Sequence, residues 1–290
     1  MADPSRVLLI GAGGLVGRHL RQAFSGLHVT ATYRSDPPDG GIALDITDHD
    51  AVRRTLRDAK PDVIVLAAAE AYVERCEREP QATRVVNVEA PRFIASEAAA
   101  RDALLVVFSS EYVFDGSRGR YTEADERRPI NEYGRQKVEL EDITLATGRG
   151  LVCRTSGVFG ADPRRKNFVL QLVDRLRAGQ PFDVPTDQLI TPTYAPTLAG
   201  AVAKLVKRGQ RGIVHVAGPS VLGRYEFAQL IADAYALPAA LLRPRATAEL
   251  GLAARRPLRS GLGVDRLHEI LGTDLTAPAA ALRELAQETP

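Results

Sequence analysis

The apolar run Val7-Leu8-Leu9-Ile10 passes directly into Gly11-Ala12-Gly13-Gly14-Leu15-Val16-Gly17. A short apolar segment that ends in glycines spaced by three predicts a buried strand, a tight turn and a helix. Gly11 permits the turn, Gly14 lets a pyrophosphate approach the backbone, and Gly17 lets the helix pack closely on the strand. The free N–H groups of the helix start suit a phosphate. Gly11, Gly13, Gly14, Leu15, Val16 and Gly17 are therefore candidate cofactor-binding residues, and the fold they select is a doubly wound sheet.

The rest of the chain carries the same rhythm. Residues 14–25 read as a helix and His28 to Thr32 as a second strand. Asp62 to Leu66, Leu104 to Phe108 and Leu151 to Arg154 read as further strands, separated by helical patterns at 80–101 and 131–147. Alternation of this kind predicts an α/β, Rossmann-type doubly wound parallel sheet whose ligands sit beyond the carboxyl ends of its strands. After residue 160, prolines punctuate shorter elements, which predicts a smaller C-terminal substrate-binding lobe. A helix at Ala195–Lys207 and a strand at Ile213–Ala217 are expected to return to the sheet. The expected division is 1–160 with 195–217 for the dinucleotide, and 161–194 with 218–290 for the substrate.

Composition narrows the function classes. The 290 residues carry 38 basic and 36 acidic side chains, and no like-charge block exceeds Arg164-Arg165-Lys166, which argues against a nucleic-acid partner. No apolar run reaches the length of a membrane span. Cys76 and Cys153 stand in no metal or redox spacing, and the five histidines have no ligand spacing, so no metal is expected and a cytoplasmic protein is. Gly218-Pro219-Ser220 lacks the second glycine of a nucleophile elbow, which argues against a hydrolase.

The end of the second strand bears on the choice of dinucleotide. A carboxylate there binds a ribose 2′-hydroxyl, whereas an arginine accommodates a 2′-phosphate. The chain reads Thr32-Tyr33-Arg34-Ser35, so Arg34 favours NADP(H) over NAD(H), with Asp36 two residues on as the NAD(H) reading. Asp45 and Ile46 are placed to border an adenine, and Ala67, Ala68 and Ala69 offer small side chains where backbone must approach a ribose or phosphate.

Tyr133 and Lys137 stand four residues apart, hence on one helix face, and Lys137 is one of only five lysines. A neighbouring ammonium is expected to lower a phenol's pKa and let it exchange a proton near neutrality. Ser110 closes an apolar strand at the carboxyl edge, where a hydroxyl can hydrogen-bond a carbonyl as it becomes an alkoxide.

With these residues the chain resembles the extended short-chain dehydrogenase/reductase superfamily, and within it the dTDP-4-dehydrorhamnose reductase family. The resemblance spans nearly the whole length: the glycine loop, the three alanines, Asn87, Phe108-Ser109-Ser110-Glu111-Tyr112-Val113-Phe114-Asp115-Gly116, Tyr133 with Lys137, Arg154 to Gly160, Asn167-Phe168, Asp187-Gln188 before Thr191-Pro192-Thr193, and Arg255-Arg256-Pro257. It implies hydride transfer from NADPH to the C4 ketone of a nucleotide-linked 4-keto-6-deoxy sugar. Tyr133 would give the proton, Ser110 would orient the carbonyl, Lys137 would hold the nicotinamide ribose, and Asn87 would support a proton relay. Phe108 and Ser156 would border the cofactor, while Glu111, Gly157, Asn167, Gln188, Thr193 and Arg256 would meet the substrate. The oligomeric state stays open, a homodimer included.

Three positions depart from the family pattern: Glu111 stands for an aspartate, Gly157 for a tryptophan and Ile190 for a glycine. Ser110-Glu111-Tyr112 has one acid where a 4,6-dehydratase has two. The chain is also similar to the beta subunit of methionine adenosyltransferase, which implies a non-catalytic, NADP-binding regulatory alternative; a nucleotide-sugar epimerase is a further one.

Overall fold

A computed structural model describes residues 5–35, 37–38 and 40–289. Asp36, the NAD(H) reading at the second strand, lies outside them.

The main sheet is built from β1 (Arg6–Ile10), β2 (His28–Tyr33), β3 (Ile42–Ala43), β4 (Val63–Leu66), β5 (Leu104–Ser110) and β6 (Gly150–Thr155), joined by β11 (Gly212–His215). Its order is β11-β6-β5-β4-β1-β2-β3 and every pairing is parallel. The order reverses between β1 and β4, which makes the crevice beyond their carboxyl ends the switch point of the fold.

The strands are apolar without alternation because both faces are covered. Leu8 and Ile10 of β1 pack with Leu56, Ile94 and Leu140, from α2 (His49–Ala59), α5 (Ala90–Ala100) and α6 (Glu132–Leu145). Val7 and Leu9 pack on the opposite face with Leu20, Leu198 and Val202, from α1 (Leu15–Ala23) and α8 (Ala195–Lys207). Fully burying one Leu or Val side chain is worth about 1.5–3 kcal/mol, so these two layers hold the sheet.

The pattern read as one helix over 80–101 is three pieces: α4 (Pro80–Arg84), a π-helical turn at Val85–Glu89, and α5. It follows α3 (Val73–Arg78). The widened turn aims Asn87 inward, where its amide Nδ2 donates to the Glu70 carbonyl at 3.0 Å and its Oδ1 accepts from the Glu70 N–H at 2.9 Å. Widened turns of this kind are common beside functional sites.

Further elements gather beyond the sheet: β7 (Val158–Phe159) with β10 (Thr193–Tyr194), β9 (Leu189–Ile190) with β12 (Leu222–Gly223), and β8 (Phe182–Pro185) with β13 (Leu242–Arg245). Around them, α7 (Phe168–Arg177), α9 (Arg224–Ala234) and α11 (Pro278–Glu288) enclose a second core that includes Phe159, Val173, Phe227, Ile231 and Leu282. The short α10 (Asp265–Leu271) instead packs Leu267 on the α8 side of the sheet. No helix among the described residues is long and apolar enough to cross a membrane.

One charged network sits wholly inside. Arg154 of β6 donates from Nε and Nη2 to the two carboxylate oxygens of Glu141 on α6, both at 2.8 Å, and its Nη1 lies 3.3 Å from His215 Nε2 on β11. His215 Nδ1 meets the Gly263 carbonyl at 2.9 Å, and Ser109 donates to Glu141 at 2.5 Å. Sheet, α6 and the C-terminal segment are thereby tied together.

Candidate active site

At the switch point the backbone itself forms the walls. A Cβ on Gly11, whose φ is +91°, would lie 2.7 Å from the Ala68 amide nitrogen, and one on Gly17 would lie 2.2 Å from the Gly11 carbonyl oxygen. Only glycine fits either place. Gly14 is the N-cap of α1 and offers no side-chain acceptor, so the first N–H groups of the helix stay free for an anion. Tyr33 packs its ring against Gly13, and its hydroxyl accepts from Arg21 Nη1 at 3.0 Å. This cradle fits the pyrophosphate of a dinucleotide.

A small cavity opens at the carboxyl ends of β4 and β5. Ala67, Ala68, Ala69, Asn87, Phe108 and Lys137 share its walls. A much larger cavity lies at the opposite, amino ends of the strands, among Arg57, Lys60, Arg149 and Lys207, and contains none of the expected site residues. Lys60 and Lys207 stand at the carboxyl ends of α2 and α8, where cations offset the helix dipole.

Helix α6 carries Tyr133 and Lys137, and Asn131 caps it. The Asn131 carboxamide accepts from the Gly134 N–H at 2.8 Å and donates to the Arg255 carbonyl at 2.7 Å. A Cβ on Gly134 would lie 2.2 Å from the Tyr112 carbonyl oxygen, so the helix start rests directly on the end of the β5 segment. Lys137 Nζ donates to the Phe108 carbonyl at 2.9 Å and lies 5.5 Å from the centre of the Tyr133 ring. Tyr112 meets Tyr133 edge-on at 5.6 Å. Ser110 donates to Glu111 Oε2 at 2.7 Å, and its hydroxyl also faces the Tyr133 phenol.

The electrostatics differ from the sequence expectation at Tyr133. Burial pushes its phenol well above the ordinary range and the Glu111 carboxyl adds to the rise, while the Ser110 hydroxyl opposes it. Desolvation of the ring therefore sets the direction, and the phenol keeps its proton at neutral pH. Burial lowers the Lys137 ammonium to about 8. Burial also raises the Glu111 carboxyl, against the hydrogen bonds it receives.

The remaining expected residues divide by what their side chains touch. Arg34 is exposed at the end of β2, and Asp45 is exposed beside it, accepting from the Thr47 N–H and hydroxyl at 2.9 and 2.8 Å. Ile46 packs into the core under β1. Asn167 caps α7, accepting from Leu170 N–H and donating to the Gly160 carbonyl, so its amide serves the turn. Thr193 is fully buried and donates within the Ser156 and Thr191 backbone, while Ser156 Oγ accepts from the Thr191 N–H at 3.0 Å. Gln188 donates to Thr247 at 2.9 Å. Gly157 adopts φ +51° beside Pro192. Arg256 lies 5.9 Å from the Tyr112 ring centre and is paired to Glu74 at 2.7 Å. Sequence reasoning passed over Tyr112, Phe168 and Glu74 as site walls. Tyr112 and Phe168 lie inside segments that signalled the family, but only the packing shows their rings facing the cleft residues Tyr133 and Arg224.

A family model described as the RmlD substrate binding domain matches residues 5–289. The chain belongs to this family. It is 37% identical over 247 residues to the dTDP-4-dehydrorhamnose reductase of Mycolicibacterium smegmatis, covering 82% of this chain and 72% of that protein. It is 32% identical over 284 residues to methionine adenosyltransferase 2 subunit beta of Rattus norvegicus, covering 94% of this chain and 84% of that one. The crystal structure of the Bacillus anthracis dTDP-4-dehydrorhamnose reductase in complex with NADP superimposes with a TM-score of 0.90 at 26% identity, over 99% of this chain and 100% of that one.

Proposed function

We propose that the protein is an NADPH-dependent reductase of the C4 ketone of a nucleotide-linked 4-keto-6-deoxy sugar, acting in the cytoplasm. The observation that carries this reading is the convergence of Ser110, Tyr133 and Lys137 at the carboxyl end of β5, next to the glycine cradle. A bound NADPH supplies the hydride. The phenol of Tyr133 is protonated at neutral pH and so stands ready as the donor to the carbonyl oxygen, the direction a reduction needs. Ser110 turns its hydroxyl from Glu111 toward that oxygen and steadies its developing charge. Lys137, fixed on the Phe108 carbonyl, presents its ammonium to the nicotinamide ribose. Arg34 at the rim of β2 meets the 2′-phosphate, which favours NADP(H) over NAD(H). Asn87, with both ends of its amide taken by Glu70 and a further bond of 2.8 Å to Gln136, acts by holding the cavity wall.

Purified protein mixed with NADPH and dTDP-4-dehydrorhamnose should consume NADPH, and Tyr133→Phe should slow this by about a hundredfold or more while cofactor affinity is kept. A second reading, a regulatory subunit that binds NADP without turnover, is favoured by the similarity to the methionine adenosyltransferase 2 subunit beta over 94% of this chain. Tight NADPH binding without consumption across keto-sugar nucleotides would select it.

A further inference from the structure

Arg224 opens α9 and is held at the rim of the cleft. Its N–H donates to the Gln188 carbonyl at 2.8 Å, directly after the antiparallel pairing of Gly223 with Leu189. The guanidinium carbon lies 4.3 Å from the centre of the Phe168 ring, so the side chain is braced from behind. The groups that act on its charge are Glu111, Tyr112 and Arg256, which places it over the reacting end of the site.

No carboxylate among the described residues forms an ion pair with Arg224, and no hydrogen bond holds its guanidinium. Arg256 differs: Glu74 neutralises it at 2.7 Å, although its Nη1 is buried without an acceptor. Glu111 is committed to Ser110, and burial favours its neutral form, so it leaves the Arg224 charge uncompensated. A half-buried guanidinium cannot shed its proton, and holding it without an anion is costly. An incoming anion relieves that cost and gains charge-assisted hydrogen bonds.

We propose that Arg224 is a specificity-determining residue that binds an anionic group of the substrate beside the reacting sugar, either a phosphoryl oxygen of its diphosphate or a carboxylate on the sugar. This rests on the reading of the substrate as a nucleotide-linked sugar, and it adds which end of that molecule the cleft charge reads.

The test is calorimetric binding to the full chain with NADP present, comparing wild type, Arg224→Met and Arg224→Lys. The probes are thymidine diphosphate, dTDP-glucose, UDP-glucose and UDP-glucuronic acid. Methionine keeps the packing on Phe168, and unchanged NADP affinity and melting temperature report an intact fold. If the diphosphate is the target, Arg224→Met weakens thymidine diphosphate and dTDP-glucose alike by about tenfold or more, with partial rescue by Arg224→Lys. If a carboxylate is the target, diphosphate affinity stays and only the preference for UDP-glucuronic acid over UDP-glucose disappears. Affinities within about twofold of wild type for all four probes, or no binding of any probe by wild type, would overturn the proposal. Because binding requires no turnover, a failure of the reductase reading shows separately as absent NADPH consumption.

Discussion

The ammonium of Lys137 donates to the backbone carbonyl of Phe108 at 2.9 Å, which ties the face of α6 that carries Tyr133 to the end of β5 just before Ser110. The contact spans helix and strand, so the spacing between phenol, ammonium and serine is set by tertiary packing. It also takes the lysine out of water.

That burial predicts a pH limit. With its ammonium lowered to about 8 from an ordinary value of 10.5, Lys137 is charged below pH 8 and neutral above it. NADPH affinity should weaken as pH rises through about 8. Lys137→Arg, which keeps its charge to far higher pH, should lose this alkaline limb even where overall affinity drops. Fluorescence titration of NADPH from pH 6.5 to 9.5 checks both; an affinity flat across pH 8 in wild type would remove Lys137 from the ribose.

Arg34→Asp should shift cofactor preference toward NADH, since a carboxylate repels a 2′-phosphate and accepts from a 2′-hydroxyl. The ratio of NADPH to NADH dissociation constants should rise by about tenfold or more, the scale of a charge-assisted hydrogen bond lost to repulsion. An unchanged ratio would show that another group reads the phosphate.

The Arg154–Glu141 pair predicts a stability asymmetry. Arg154→Met alone leaves the buried Glu141 carboxylate with only the partly exposed Arg127 guanidinium, at 3.3 Å, as its cation and should cost about 3 kcal/mol in urea unfolding. The double change Arg154→Met with Glu141→Leu should recover a substantial part of that loss, because two charges no longer need to be desolvated. A double variant no more stable than the single one would mean that the network does more than balance its own burial.

His215 predicts acid sensitivity with a definite sign. Burial lowers its imidazole to about 4 from 6.5. The unfolded chain takes up the proton near pH 6.5 and the folded chain only near pH 4, so the stability this residue contributes is present above pH 6.5 and drains away as pH falls toward 4. Between pH 7 and pH 5 the loss should be about 2 kcal/mol, and His215→Gln should flatten it. Urea unfolding at pH 7, 6 and 5 measures the slope.

Local chemistry made much of this protein legible. The step from Val7–Ile10 into glycines at 11, 14 and 17 announced a dinucleotide cradle because backbone sterics allow no other residue where Gly11 meets Ala68 and Gly17 meets the Gly11 carbonyl. The strands β4, β5 and β6 were visible as apolar runs because both their faces are buried. The helices α2, α7, α9 and α11 carry no such local signal, since their amphipathic stripes make sense only against the faces they cover. The widened turn at Asn87 was hidden for a related reason: its hydrogen bonds go to Glu70 and Gln136, groups distant in the chain.

The sequence by itself determined the doubly wound sheet, the glycine cradle and the identity of the phenol, ammonium and serine, all properties of residue type and short spacing. Tertiary structure alone decided how those groups are charged. Burial keeps the proton on Tyr133, lowers Lys137 and raises Glu111, because the energy of a charge depends on the dielectric and partners around it. Likewise, Arg256 found a carboxylate in Glu74, 182 positions away, while Arg224 found an aromatic face in Phe168 and no anion among the described residues. In a chain so rich in arginine, composition could not tell these two apart; only their neighbours in space could.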